Sequence, residues 1–139
     1  MTVKTIQDVG FGDELEAFTP NNSLGNTSAF ARAVKYDGSG RFEDHEKARE
    51  LGLPGAIVPG IMGMAFLTSM IHRWAPEGEV VKIDTVFRAP MLADKPLSIS
   101  AIVTDIDEDE GLVELDLTIK NEADETRVLG TANVRLPTE

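Results

Sequence analysis

The segment Gly60–Ala75, GIMGMAFLTSMIHRWA, constrains the fold of this chain more than any other. Apolar residues lie around nearly its whole circumference, so a helix here is expected to be covered on several sides. Pro59 precedes it and Pro76 follows it, which marks its ends. Gly60 and Gly63 lower its helix propensity and point to close approach by a neighbouring backbone. The covering layer is predicted by the second half of the chain. VVKIDTVFRAPML, KPLSISAIVTDIDED, GLVELDLTIKNEAD and TRVLGTANVRLP are strand-like. Val113, Leu115, Leu117 and Ile119 alternate with Glu114, Asp116, Thr118 and Lys120, the pattern of a half-buried antiparallel strand. An apolar helix followed by amphipathic strands predicts an α+β fold in which an antiparallel sheet wraps the helix, as one domain over residues 1–139.

The first half is more broken. Residues 1–28 are polar and turn-rich, with TPNNSLGN as a loop. TSAFARAVKY reads as a short helix capped by Thr27 or Ser28, with Phe30, Ala31, Ala33 and Val34 on its apolar side. DGSG interrupts it, and DHEKARELG reads as a second helix with Asp44 as N-cap and Gly52 just past its end. The acidic stretches DEDEG and NEADE are expected to be solvated hairpin ends, since a calcium loop needs ligands over a longer spacing.

Composition removes several function classes. The balance of 24 acids against 13 bases gives a formal charge of −11, which argues against nucleic acid and anionic membrane as partners. The chain has no cysteine, which excludes disulfides, thiolate nucleophiles and cysteine-ligated zinc or iron–sulfur centres. Its first residues lack a signal-peptide core, and no apolar run reaches membrane-span length, so a cytoplasmic location is expected. There is no nucleophile elbow, P-loop, dinucleotide fingerprint or metal-ligand spacing.

VGFGDELEAFT, FARAVKYDGSGRFEDHEKARELGLPGAIVPGIMGMAFL, IDTVFRAPMLADKPLSISAIVTD and NEADETRVLGTANVRLP resemble, in order and spacing, the MaoC-like hydratase/dehydratase family of hot-dog proteins. The resemblance covers nearly the whole chain. It implies a hot-dog fold, reversible addition of water to an enoyl thioester of coenzyme A or acyl carrier protein, and no cofactor. It also implies a homodimer, or a heterodimer with another hot-dog subunit, with pockets between protomers. The family's (R)-specific enoyl-thioester hydratases carry Asp-x-Asn-Pro-x-His, whose aspartate and histidine together activate one water. Here Asp37 takes the aspartate position, Ser39 the asparagine, Gly40 the proline and Phe42 the histidine. The family's later Ala-His-Gly segment reads Val58-Pro59-Gly60. Both histidines of the pattern are therefore absent, and the segment after Phe30 is one residue longer than the family's.

Water addition needs a base, a proton for the α-carbon and stabilisation of the developing enolate oxygen. The backbone N–H groups of Gly60 and Ile61, at the start of the long helix, suit the last task; Gly60 alternatively serves only to relieve crowding. Asp37 suits the first task if burial makes it basic, or it is an Asx-type turn residue of DGSG. His45 is a candidate replacement base, or an ordinary residue of a helix start. Tyr36 and Ser39 are possible hydrogen-bonding partners of the substrate. Arg41 and Arg88 suit a phosphate of the carrier, against the alternative of surface ion pairs such as Arg41 with Glu43 or Asp44. Phe42, Pro59 and Met64 are candidate walls for the acyl group, and Met62 and Met70 extend the methionine set along the helix. His72 fits a C-terminal cap of that helix. Three functions remain open: a hydratase or dehydratase using Asp37 with helix-start donors, a silent subunit paired with an active one, and a lone-acid isomerase or cyclase.

Overall fold

The computed structural model describes residues 2–138. In chain order its elements are α1 (Leu24–Ala33), α2 (His45–Glu50), β1 (Ile57–Val58), α3 (Gly60–Trp74), β2 (Glu79–Phe87), β3 (Met91–Leu92), β4 (Leu97–Asp107), β5 (Leu112–Asn121) and β6 (Thr126–Arg135). The four long strands form one antiparallel sheet in the order β2-β6-β5-β4, and β1 pairs with β3 as a separate two-stranded ribbon. The α+β expectation, with a sheet around a central apolar helix, holds.

The sheet meets α3 because its alternation has one apolar face. Val113, Leu115, Leu117 and Ile119 are buried, while Glu114 and Asp116 between them face water. From α3, Met62, Phe66, Leu67, Met70, Ile71 and Trp74 join the same core. A Cβ on Gly63 would lie 2.7 Å from the Met91 methyl, so this glycine lets β3 press against the helix. The edge of β4 is partly covered by the N-terminal segment through Glu14 opposite Ile102 and Phe18 opposite Ile99. The outer edge of β2 has no strand against it among the described residues.

The expectation that α3 is covered on several sides needs correction. Ile61, Ala65 and Ser69 form an exposed stripe, with Ile61 45% accessible. A helix repeats its faces every three to four residues, and a single sheet covers only one side of it. The start of α1 also differs from expectation. Its cap is Ser23, whose hydroxyl accepts from the Asn26 N–H at 3.2 Å, and Thr27 lies buried within the helix. The Ser23 hydroxyl therefore reaches an orphan amide earlier than Thr27 can. α2 forms as expected, with the Asp44 carboxylate accepting from Lys47 N–H at 3.1 Å and Gly52 at φ +88°.

A polar hub ties the helical half to the β3–β4 turn. Asp94, at φ +66°, accepts from the Leu24 N–H (2.8 Å), and its other oxygen meets His45 Nε2 at 2.8 Å. His45 Nδ1 accepts the Ala56 N–H at 2.9 Å. A backbone N–H can only donate, so Nδ1 is the bare nitrogen and Nε2 carries the proton given to Asp94. Asn22 completes the hub, donating to the carbonyls of Leu92 (3.1 Å) and Lys95 (2.7 Å) and accepting from the Asp94 N–H (2.9 Å). The His45 hydrogen bond first, and the Leu24 amide second, hold the Asp94 carboxyl below the usual aspartate range.

Asp94 has a depressed folded pKa, so its contribution is present above the unfolded value of about 3.9 and disappears as pH falls through the lower folded value. Asp94→Asn is expected to be less stable than wild type at pH 7, with the difference shrinking below about pH 4. Urea unfolding at several pH values checks this; a constant difference across that range contradicts the role assigned to Asp94. Gly130 gives a second test. A Cβ there would overlap the Asp84 carbonyl oxygen across the β2–β6 ladder. Gly130→Ala is expected to cost about 1–3 kcal/mol, and an unchanged denaturation midpoint rules the overlap out.

Candidate active site

The segment that carries the resemblance folds as a tight turn. Gly38 and Gly40 have φ of +107° and +87°, where other residues are strained. Gly40 is buried against α2, because a Cβ there would come within 2.7 Å of Lys47 Cβ. Glu43 closes the turn by accepting the Gly38 N–H at 3.2 Å. Asp37 does not form the Asx-type turn: its side chain is exposed and makes no hydrogen bond among the described residues. Ser39 turns back on Arg41, its hydroxyl 3.3 Å from Arg41 Nε.

Phe42 is half-buried and held from two sides. The Tyr36 ring lies 6.2 Å from it at 33°, and the Arg41 guanidinium sits 5.2 Å from its centroid. The edge-tilted rings and the cation over a π-face are both attractive arrangements. Arg41 makes no ion pair with Glu43 or Asp44 among the described residues. Its carbonyl accepts the Ile57 N–H at 2.8 Å, which anchors the turn to β1.

β1 delivers the chain directly into α3. The Pro59 carbonyl accepts from Met62 N–H (2.9 Å) and Gly63 N–H (3.3 Å), while the N–H groups of Gly60 and Ile61 have no partner among the described residues. These are the free donors that every helix start presents, aligned with the positive end of its dipole. Beside them lies an open groove of about 360 Å³ lined by Phe42, Val58, Gly60, Phe87, Arg88 and Met91. The Phe87 ring stands over Gly60, where a Cβ would touch three of its carbons at 3.2 Å, and the ring is itself 50% exposed. Gly60 therefore does relieve crowding, by admitting an aromatic ring that solvent also reaches.

The structure thus brings Phe42, Gly60 and Arg88 to one groove. Pro59 is buried and, like Met64, does not line it; Met64 is half-buried one turn along α3, and Met62 and Met70 are core residues. Asp37 and Tyr36 precede the groove in the chain, and Tyr36 joins it through its contact with Phe42. His45 has both ring nitrogens engaged in the hub and does not line the groove. His72 is exposed near the other end of α3. Sequence reasoning missed Phe87, Val58 and Met91 as walls; the only signal was the approach implied by Gly60 and Gly63. Among the described residues no three His, Asp or Glu side chains gather as metal ligands would, and no helix is long and apolar enough to cross a membrane.

No family model and no curated protein sequence matches the chain. Solved structures do. An (R)-hydratase from A. caviae involved in PHA biosynthesis superposes with a TM-score of 0.86 at 20% identity, over 94% of this chain and 99% of its own. The R-hydratase PhaJ1 from Pseudomonas aeruginosa gives 0.87 at 19% identity, over 97% and 86%. The ChsH1–ChsH2 complex from Mycobacterium tuberculosis gives 0.82 at 17% identity, over 93% and 99%. The strand order, the central helix and these superpositions together show that the chain has the hot-dog fold found in (R)-hydratases and MaoC-like dehydratases.

Proposed function

We propose that the chain is a MaoC-type hydratase or dehydratase subunit that binds an acyl thioester of coenzyme A or acyl carrier protein. The observation that carries this reading is the pair of unpartnered N–H groups at Gly60 and Ile61 beside an apolar groove. A thioester carbonyl laid on them gains two donors, and those bonds strengthen as the oxygen becomes an enolate. Water then adds to the β-carbon, giving one proton to a base, while the α-carbon receives a proton; dehydration is the reverse. Asp37 is the base in this proposal; it is exposed and does not line the groove in one protomer, so the burial its role needs has to come from a second protomer covering the turn. Arg88 and Arg41 suit the carrier's phosphates.

A second reading is favoured by Phe42. The position of the resembled histidine holds an aromatic ring packed by Tyr36 and Arg41, and His45 has no free nitrogen to replace it. A lone carboxylate lacks a paired acid–base partner, so turnover by the chain alone is slow, about 10²–10⁴-fold below a paired site. The chain then acts as the companion of another hot-dog subunit that supplies the pair. The edge of β2, which has no strand against it among the described residues, and the exposed Ile61, Val86 and Phe87 suit coverage by a second protomer. The ChsH1–ChsH2 structure is likewise of a complex.

Phe42→His rebuilds the five-residue spacing from Asp37. Hydration of crotonyl-coenzyme A by this variant is expected to exceed wild type by about 10²-fold or more, and to vanish again in the double variant with Asp37→Asn. A folded Phe42→His protein without added turnover removes Asp37 from the role of base. Sedimentation equilibrium at micromolar concentration is expected to give a dimer, and Val86→Lys to weaken it at least tenfold. A monomeric wild type contradicts the paired arrangement.

A further inference from the structure

His45 opens α2, yet its ring ties together two other segments of the chain. Nδ1 accepts the Ala56 N–H at 2.9 Å, and Nε2 donates to Asp94 at 2.8 Å. The chain before β1 is fitted to the ring, since a Cβ on Gly55 would lie 3.0 Å from Nδ1. Ala56 is fully buried, so water does not stand ready to replace the acceptor of its amide. The His45 side chain is 27% exposed, which leaves the ring open to protons.

A second proton on the ring has to go to Nδ1, because Nε2 already carries one. It sets an N–H against the Ala56 N–H, and that amide loses its acceptor. Asp94 does not oppose the change. Its carboxyl is held below the usual aspartate range, by the His45 hydrogen bond first and the Leu24 amide second, so it is still an anion in mild acid and keeps its bond to an imidazolium. The other charges near the ring are engaged elsewhere or lie on different contacts. On α2, Asp44 accepts the Lys47 N–H, Glu46 pairs with Arg49, and the Lys47 stem lies against Gly40. Glu43 accepts the Gly38 N–H. Lys95, next to Asp94, makes no ion pair among the described residues. Residues 51–56 and 22–29 carry no titratable side chain.

We propose that His45 is a proton-sensitive latch: its neutral ring holds Ala56, and with it β1 and the first turn of α3, and protonation at Nδ1 in mild acid releases them. An imidazole is the side chain whose charge ordinarily changes between about pH 5 and 8. Ala56 leads through Ile57 and Val58 of β1 and Pro59 to Gly60. The Ile57 N–H stays on the Arg41 carbonyl (2.8 Å) and the Ala93 N–H on the Ala56 carbonyl (2.9 Å), so the release is local. The donors at Gly60 and Ile61 are thus set at neutral pH and loosened in mild acid, whichever ligand the groove takes.

Ring and amide ¹⁵N signals of the wild-type protein are followed from about pH 8 to about pH 5. At the alkaline end His45 is expected to carry its proton on Nε2, with Nδ1 bare. As pH falls and Nδ1 gains a proton, the amides of Ala56, Gly60 and Ile61 are expected to shift with the same midpoint. The exchange protection factor of the Ala56 amide is expected to fall about tenfold or more over that step. Asp94 titrates below about pH 4, outside this window. His45→Asn places a carbonyl that takes no proton near the Nδ1 position, and there the Ala56 protection is expected to stay level. His72→Gln removes the chain's other histidine, exposed near the far end of α3, and is expected to leave the Ala56 step unchanged. A ring bare at Nε2, a ring still neutral at about pH 5, or protonation without a response at Ala56 overturns the latch. So does an Ala56 step that survives in His45→Asn or vanishes in His72→Gln. A response at Ala56 with none at Gly60 and Ile61 overturns its reach to the donors. The wild-type titration decides by itself if His45→Asn does not fold.

Discussion

The geometry of the groove depends on the carboxylate of Asp94. One oxygen receives the first amide of α1 and the other the ring of His45, and that ring in turn receives the Ala56 amide. Ala56 immediately precedes β1, and β1 runs through Pro59 into the first turn of α3. The donors at Gly60 and Ile61 are therefore positioned by a chain of short polar contacts, one of which joins His45 and Asp94 across 49 residues of sequence. Two of the three contacts satisfy backbone N–H groups, those of Leu24 and Ala56. Helix ends and a short ribbon have little apolar surface of their own, so such contacts set their placement more than packing does.

This explains what the sequence made legible. The sheet strands and α3 were visible because each repeats one chemical contrast many times, every second residue in β5 and around the full turn in α3. The Asp44 cap and the Gly52 stop were visible because both act within one helix turn. Asp94 as a cap of α1 was not, since it comes from another part of the chain, and Ser23 lost to Thr27 by a reading limited to the nearest apolar run. The function of His45 was hidden for the same reason: its identity suggests proton transfer, but its two partners are assigned only by the fold. The uncovered stripe at Ile61 and Ala65 was misread because periodicity says that a face is apolar without saying which chain lies against it.

Charge follows a similar division between global and local. A formal charge of −11 repels anionic ligands at long range, and salt screens that repulsion over roughly 8–10 Å. Arg88 lines the groove, and Arg41 lies on the Phe42 ring that forms one wall. For the proposed acyl-thioester ligand, these local cations weigh more at contact distance than the sum.

The two halves of an active site of this kind differ in how they survive substitution. Polarising a carbonyl needs only fixed donors, and the first turn of α3 supplies them from the backbone whatever side chains surround it. Proton transfer needs titratable side chains at hydrogen-bonding distance, and a single replacement removes it. In the resembled motif the histidine position holds Phe42, whose ring packs against Tyr36 and Arg41. On the proposed function, the groove keeps the donors that would hold a thioester while the paired base is missing, which leaves Asp37 and any second protomer as the places from which the remaining chemistry would come.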